Sequence, residues 1–229
     1  MTTRIGVIRH HGRHRLDLVG GLLRPQLVLD RPDHVRIGLV ATTALLLGGD
    51  EVELEVHLGP DTVLELFDVA GTVAYHGRGR PAAWRTTVTL AEGARLRYRG
   101  APFVVSEGAD VERTLDLDLD PTANIWLRET VVLGRSGEVG GRLRNRMAIT
   151  VDGRHVLLED QLLDPAGIRR SPGMLGSHRV LDTVLAVGTD EPALAPGSAV
   201  RFGLVGGPGS ITRYLGADVA VSPLEPERW

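Results

Sequence analysis

Glu51-Val52-Glu53-Leu54-Glu55-Val56-His57-Leu58 alternates polar and apolar residues without an error, and Leu115-Asp116-Leu117-Asp118-Leu119-Asp120 does the same. A period of two puts every apolar side chain on one face of a strand and every polar one on the other. Both stretches therefore read as strands with one face in a core and one in water. Working outward, β-rich runs recur at 35–40, 62–69, 84–90, 95–98, 103–105, 125–133, 143–151, 155–163, 180–187, 199–205 and 211–215. Turn signals separate them, such as Leu58-Gly59-Pro60-Asp61, Ala91-Glu92-Gly93 and Asp120-Pro121. Asp152-Gly153 between two such runs predicts a tight hairpin, because Asp-Gly accepts positive φ at both central positions. Strand-to-strand spacing of about ten residues is that of a sandwich, barrel or solenoid. The chain has 29 glycines and 13 prolines in 229 residues, too densely scattered for long helices. The expected fold is all-β: one domain over residues 1–229, many short strands in stacked sheets, solenoid- or sandwich-like, with at most one or two short helices. The best helix candidate is the apolar stretch 41–47, stopped by Gly48-Gly49. A solvated His/Arg-rich segment is expected at 1–15, a long loop at 165–177 and a loose tail at 222–229.

Composition narrows the function. Net charge is −3 with both signs interleaved, so there is no basic excess to hold nucleic acid. At 4% aromatic residues the chain is a poor stacking platform for bases. It has no cysteine, which excludes disulfides and thiolate metal sites. The start, MTTRIGVIRHHGRHR, lacks the apolar stretch of a signal peptide, and no segment reaches the ~20 apolar residues that span a bilayer. By elimination, a cytoplasmic location and no membrane partner are expected.

Few residues suggest chemistry. His10, His11 and His14 fall within five positions, and imidazole is a good ligand for nickel or zinc. Neighbouring arginines oppose a dication there. Such a segment would make a nickel-binding buffer or regulator. Leu47-Gly48-Gly49-Asp50 is not a phosphate loop, because Gly-Lys is absent, and Pro208 spoils Gly206-Gly207-Pro208-Gly209 as a backbone nest. Neither Gly-x-Ser-x-Gly nor His-Glu-x-x-His occurs. Asp116 and Asp118 could serve a hydrolase on a β-solenoid only if they faced a cleft, and alternation places them on a solvated face. Arg128 to Glu138, RETVVLGRSGE, is different. Glu129 interrupts an apolar strand, and a Gly-Arg turn ending in Glu138 follows. The concentrated charge reads either as an ion pair pinning a turn or as an acid on an interior face, where it must be paired or wet.

Leu133-Gly134-Arg135-Ser136-Gly137-Glu138 resembles the LGR..SGE signature of the urease accessory protein UreD family, called UreH in some bacteria. Other pieces follow in the family's order. They are Leu46-Leu47-Gly48-Gly49-Asp50, the strand and turn from Glu53 to Gly59, Leu90-Ala91-Glu92-Gly93-Ala94-Arg95-Leu96, and Arg142-Leu143-Arg144-Asn145. Gly176-Ser177-His178 through Gly188 and Arg213-Tyr214-Leu215-Gly216 complete the set, which covers residues 37–216. The departures mark a short, divergent member. Ala70-Gly71-Thr72-Val73-Ala74-Tyr75 lacks the usual Lys, Arg99-Gly100-Ala101-Pro102 replaces a proline-flanked segment, and the chain ends 13 residues past Gly216. The resemblance implies a helix-poor stack of strands that is not an enzyme. It implies a scaffold joining the urease structural subunits to UreF and the GTPase UreG, with no tightly bound cofactor and nickel only in transit. It also implies an internal polar path for that cation. Asp50, Glu129 and Glu138 match acidic family positions, and Arg135 and Arg142 would support the path by pairing with them.

Overall fold

The computed structural model describes residues 1–165, 167, 171, 174–189 and 199–224. In chain order the strands are β1 (Thr3–His10), β2 (Arg13–Val19), β3 (Leu23–Asp30), β4 (Val35–Ala41), β5 (Glu51–Leu58) and β6 (Val63–Asp68). Then come β7 (Thr72–Ala74), β8 (Ala82–Leu90), β9 (Arg95–Arg99), β10 (Phe103–Val105), β11 (Asp110–Leu119) and β12 (Asn124–Leu133). The last are β13 (Arg142–Val151), β14 (Arg154–Leu163), β15 (Val180–Val187), β16 (Val200–Gly203) and β17 (Gly209–Gly216). The fold is all-β, as the alternation predicts. The only helical element among the described residues is a single 3-10 turn, Val219–Val221.

Two sheets face each other. Sheet A runs β14-β13-β11-β8-β5-β1-β2, and sheet B runs β16-β17-β15-β12-β9-β6-β4-β3. The middle of each sheet is parallel. The chain passes from a sheet A strand to a sheet B strand and back, so each circuit stacks on the one before as a solenoid coil. Glu51 lies opposite Ala83, 32 positions later, and Ala82 opposite Val111, 29 positions later. Sheet B repeats the rhythm, with Val63 opposite Arg95 and Arg95 opposite Asn124. Antiparallel strands close both ends: β2 and β3 at one, β14, β15, β17 and β16 at the other. Parallel coils expose unpaired edges, and these added strands extend the ladder past them.

The inward faces form one apolar core, with Ile5, Val56, Leu64 and Ile125 all at 0% exposure. Backbone hydrogen bonds stack the corners. Tyr75 N donates to Leu46 O, Gly77 N to Gly108 O and Gly134 N to Val105 O, so the loops 42–50, 75–81, 106–109 and 134–141 lie on one another. Close stacking needs glycine. A Cβ at Gly48 would run into the carbonyl of Gly77, and one at Gly141 into that of Ala109. Asp152 and Gly153 adopt φ of 49° and 70°, the expected hairpin turn.

Three sequence expectations need correction. The stretch 41–47 is not a helix: β4 ends at Ala41, and Leu45 and Leu46 are pulled into the core in a loop where Leu46 takes a φ of 58°. The start is not an unstructured arm. β1 pairs in parallel with β5, β2 adds to β1 and β3 pairs with β4, because even this arginine-rich run keeps Ile5 and Val7 on one face. The tail is not loose from residue 222. Ser222 hydroxyl donates to the carboxylate of Asp182, and Leu224 is buried. Residues 225–229 lie outside the described residues, as do 166, 168–170, 172 and 173 of the expected 165–177 loop. Gly48→Ala should destabilise the fold by about 2 kcal/mol or more, seen as a lowered urea midpoint. Gly153→Ala, with nothing near its missing Cβ, should cost about 1 kcal/mol from its positive φ alone.

Candidate functional site

Strand parity exposes the site. On β11, Val111, Leu115 and Leu117 point into the core, so Arg113 does too. On β12, Ile125, Leu127 and Val131 point inward, and so does Glu129. The two meet across the interior: Arg113 Nη2 donates to Glu129 Oε1 at 2.7 Å, with side chains only 13% and 14% exposed. The Arg113 guanidinium also lies 4.5 Å from the centre of the Phe103 ring. Beside this pair, Asp68 follows the inward parity of Leu64 and Leu66. Its carboxylate accepts from Tyr98 Oη and from Ala101 N, each at 3.0 Å. Burial pushes Asp68 up to about 6, against the pull of those two donors. Burial likewise raises Tyr98 well above the ordinary phenol value.

Asp68, Thr72, Tyr98, Arg113 and Glu129 help line a cavity of about 20 Å³. That is room for about one water molecule or one small ion. The polar row continues along the solenoid axis. In register, Glu129 neighbours Thr183 and Thr183 neighbours Arg213, whose guanidinium contacts Glu159. On sheet A, Arg113 neighbours Asn145 and Asn145 neighbours Gln161, whose side chain bonds Glu159. The row ends at an open pocket of about 510 Å³, lined by Gln161, Leu163, Met174, Phe202 and Arg213 among others.

On its other face β12 carries a second pair. Arg128 grips Asp182 with Nε at 3.1 and 3.2 Å and Nη2 at 2.7 Å, and Thr130 Oγ1 adds a bond of 2.8 Å. Both ions are buried, Asp182 completely. Bidentate geometry and the extra hydroxyl donors offset the cost of removing both charges from water.

The acids singled out from sequence fall in different settings. Glu129 is interior. Glu138 braces a turn: it accepts from Arg135 Nε at 2.8 Å, Arg135 N at 2.9 Å and Glu107 N at 3.1 Å. The Arg135 side chain and then its backbone N–H hold Glu138 down to about 2. Asp50 accepts from Leu47 N at 3.0 Å and closes the loop before β5. Arg142 pairs with Asp110 at 2.7 Å and with none of the three acids. The three histidines do not converge: the His10 and His11 rings lie 4.1 Å apart, but His14 is elsewhere. Pairing of Arg9 with His14 and of His10 with Arg13 puts His10 and His14 on opposite faces of the ribbon, and His14 Nδ1 lies 2.7 Å from Asp30. Among the described residues, no three His, Asp or Glu side chains form a group able to hold a metal ion. Asp116 and Asp118 stand exposed on the open face of sheet A, so the paired-carboxylate hydrolase has no cleft to work in.

Asp68, Tyr98, Arg113 and Asp182 were not singled out from sequence. One signal was present for Asp68 and Arg113: each is a charged residue at a position whose parity is otherwise apolar. Arg128 opened the charged segment read from sequence, but nothing local pointed to its partner Asp182, 54 positions away.

These features define a class: a capped β-solenoid whose interior holds a row of paired charges. Comparison with known proteins gives the family. The family model of the UreD urease accessory protein matches residues 22–221. Urease accessory protein UreD 1 of Streptomyces griseus is 44% identical over 208 residues, 91% of this chain and 80% of its own. The UreD protein of Frankia alni is 34% identical over 81% of this chain and 70% of its own, and that of Streptomyces coelicolor 32% over 84% of each. The chain belongs to the UreD urease accessory protein family.

Two measurements test the interior. Asp68 has a folded value above its ordinary one, so its contribution is full below about pH 4 and is lost as pH rises through about 6. Between pH 4.5 and 7.5 the wild type should therefore lose about 2 kcal/mol relative to Asp68→Asn in urea unfolding. Arg113→Met should cost about 3 kcal/mol by stranding the Glu129 carboxylate, and adding Glu129→Leu should recover most of that loss.

Proposed function

We propose that this chain is a non-catalytic scaffold in urease maturation. It joins the urease structural subunits to the partner accessory proteins UreF and UreG, and its polar interior conducts nickel as cargo toward the urease active site. Family membership supports the maturation role. The Arg113–Glu129 pair beside the small cavity carries the nickel reading. An acid on an interior face, neutralised by arginine and joined to a polar row that reaches an open pocket, offers a dication a ligand without a trap. Carboxylate oxygen binds nickel less strongly than imidazole does, and an arginine partner competes for the same oxygens. Both effects favour passage over storage. Of the three acids the family resemblance implicates, Glu129 is the one on the interior face. Asp50 braces the loop before β5, and Glu138 the turn after β12, the strand that carries Glu129.

Deleting the gene in its host should abolish or sharply lower urease activity, and restoring the wild-type chain should recover it. Glu129→Gln should restore complex assembly, measured by co-purification, but leave urease with several-fold less nickel by metal analysis. Undiminished urease activity in the deletion strain would end the maturation role. Normal nickel content with Glu129→Gln would end the conduction role alone.

A further inference from the structure

The outer face of sheet B has a different character from the rest of the surface. The chain has no lysine, so every permanent cation is an arginine. In register across the parallel ladder, Arg36 neighbours Glu65, Glu65 neighbours Arg97, and Arg97 neighbours Trp126. The next row sets Gly38 beside Phe67 and Phe67 beside Arg99. Glycine at 38 leaves space for the ring: a Cβ there would meet Phe67 Cζ at 3.1 Å. Phe67 is thus held between two guanidiniums, Arg36 at 5.0 Å and Arg99 at 5.9 Å from its centre. Arg97 lies 4.7 Å from the centre of Trp126. Stacking on aromatic rings fixes a guanidinium plane. A groove of about 600 Å³ lies over the same face and adds apolar walls from Leu29 and Val63.

Charge on this face is unbalanced. Two carboxylates on it, Glu65 and the buried Asp182, are already paired, Glu65 with Arg36 at 3.3 Å and Asp182 with Arg128 at 2.7 Å. Among the described residues, exposed Arg95 and Arg99 have no carboxylate within ion-pairing distance. The outer face of sheet A is the opposite, with Glu51, Glu53, Glu55, Asp116 and Asp118 set among arginines.

We propose that the outer face of sheet B is a docking surface for an extended acidic segment of a partner protein, with carboxylates at alternate positions. Arg95 and Arg99 sit two residues either side of Arg97 on β9, so the cations repeat at about 6.6 Å. An extended peptide presents alternate side chains at that same repeat. Planar guanidinium forks suit carboxylates, and the intervening side chains of the segment would face solvent. Nucleic acid fits less well, because guanidiniums already lie over the Phe67 and Trp126 rings that bases would stack on.

The test uses the full chain and fluorescence anisotropy at low salt with three labelled probes. One is a ten-residue peptide alternating glutamate with threonine, one has the same composition with its glutamates consecutive, and one is oligo-dT of equal charge. The alternating peptide should bind most tightly. Arg95→Ser with Arg99→Ser should weaken it roughly tenfold, and Arg85→Ser on sheet A should leave it unchanged. If far-UV circular dichroism shows the double variant misfolded, Arg95→Ser alone decides by a several-fold loss. The proposal is overturned if the alternating peptide does not bind, if the sheet B variants bind it as the wild type does, or if either other probe binds as tightly.

Discussion

Strand β12 carries charge on both of its faces at adjacent residues. Glu129 points into the solenoid toward Arg113, and Arg128 points out under the C-terminal segment toward Asp182. On β14 the adjacent Glu159 and Asp160 are also paired on opposite faces, but nearer to solvent. β12 pairs in parallel with β9 and β10 and antiparallel with β15, so it is the seam between the coiled part and the cap. Leaving either charge unpaired in this setting would cost several kcal/mol. Arg113 on sheet A and Asp182 on the cap must therefore be in register with β12 for the fold to close. The ion pairs specify alignment between elements distant in sequence, while the apolar core supplies most of the driving force.

The same constraint explains how a packed interior stays polar along one line. A solenoid stacks equivalent positions of successive coils, so a polar side chain at one inward position finds another polar group one coil away. Asp68, Glu129 and Thr183 follow one another along sheet B, Tyr98 reaching Asp68 from the adjacent row, with Arg113, Asn145 and Gln161 opposite on sheet A. Tyr98 answers Asp68, and Arg113 answers Glu129, in a low-dielectric setting. Such a row is costly as a purely structural feature, since apolar residues of similar volume would pack there at least as well. The proposed passage of a cation rests on this row. The outer faces follow the same stacking logic with another result: arginines and aromatic rings of adjacent coils layer on sheet B into a fixed cationic surface.

Much of the fold was legible in the sequence. Period-two alternation located most strands to within a residue or two, and Asp152-Gly153 was read correctly as a tight turn. The apolar stretch 41–47 misled because a buried loop and a buried helix look alike in composition. The first three strands were missed because arginine and histidine on outward positions masked the alternation of Ile5 and Val7. The coil repeat was also hidden. A solenoid repeats a face pattern and a corner geometry, and different apolar residues satisfy both equally well.

The sequence by itself determined the β class, the paucity of helix, the family signature and the presence of an acid at 129 inside an apolar run. Those are properties of local pattern, and alternation and turn chemistry act within a few residues. Only the tertiary structure decided that Glu129 meets Arg113 while Glu138 merely braces its own turn. Only it decided that Asp68 and Tyr98 complete the interior cluster, and that Arg142 belongs to Asp110. The partnerships of Glu129, Asp68 and Arg142 join residues 16 to 32 positions apart. They follow from the register of stacked coils, which no local window of sequence contains.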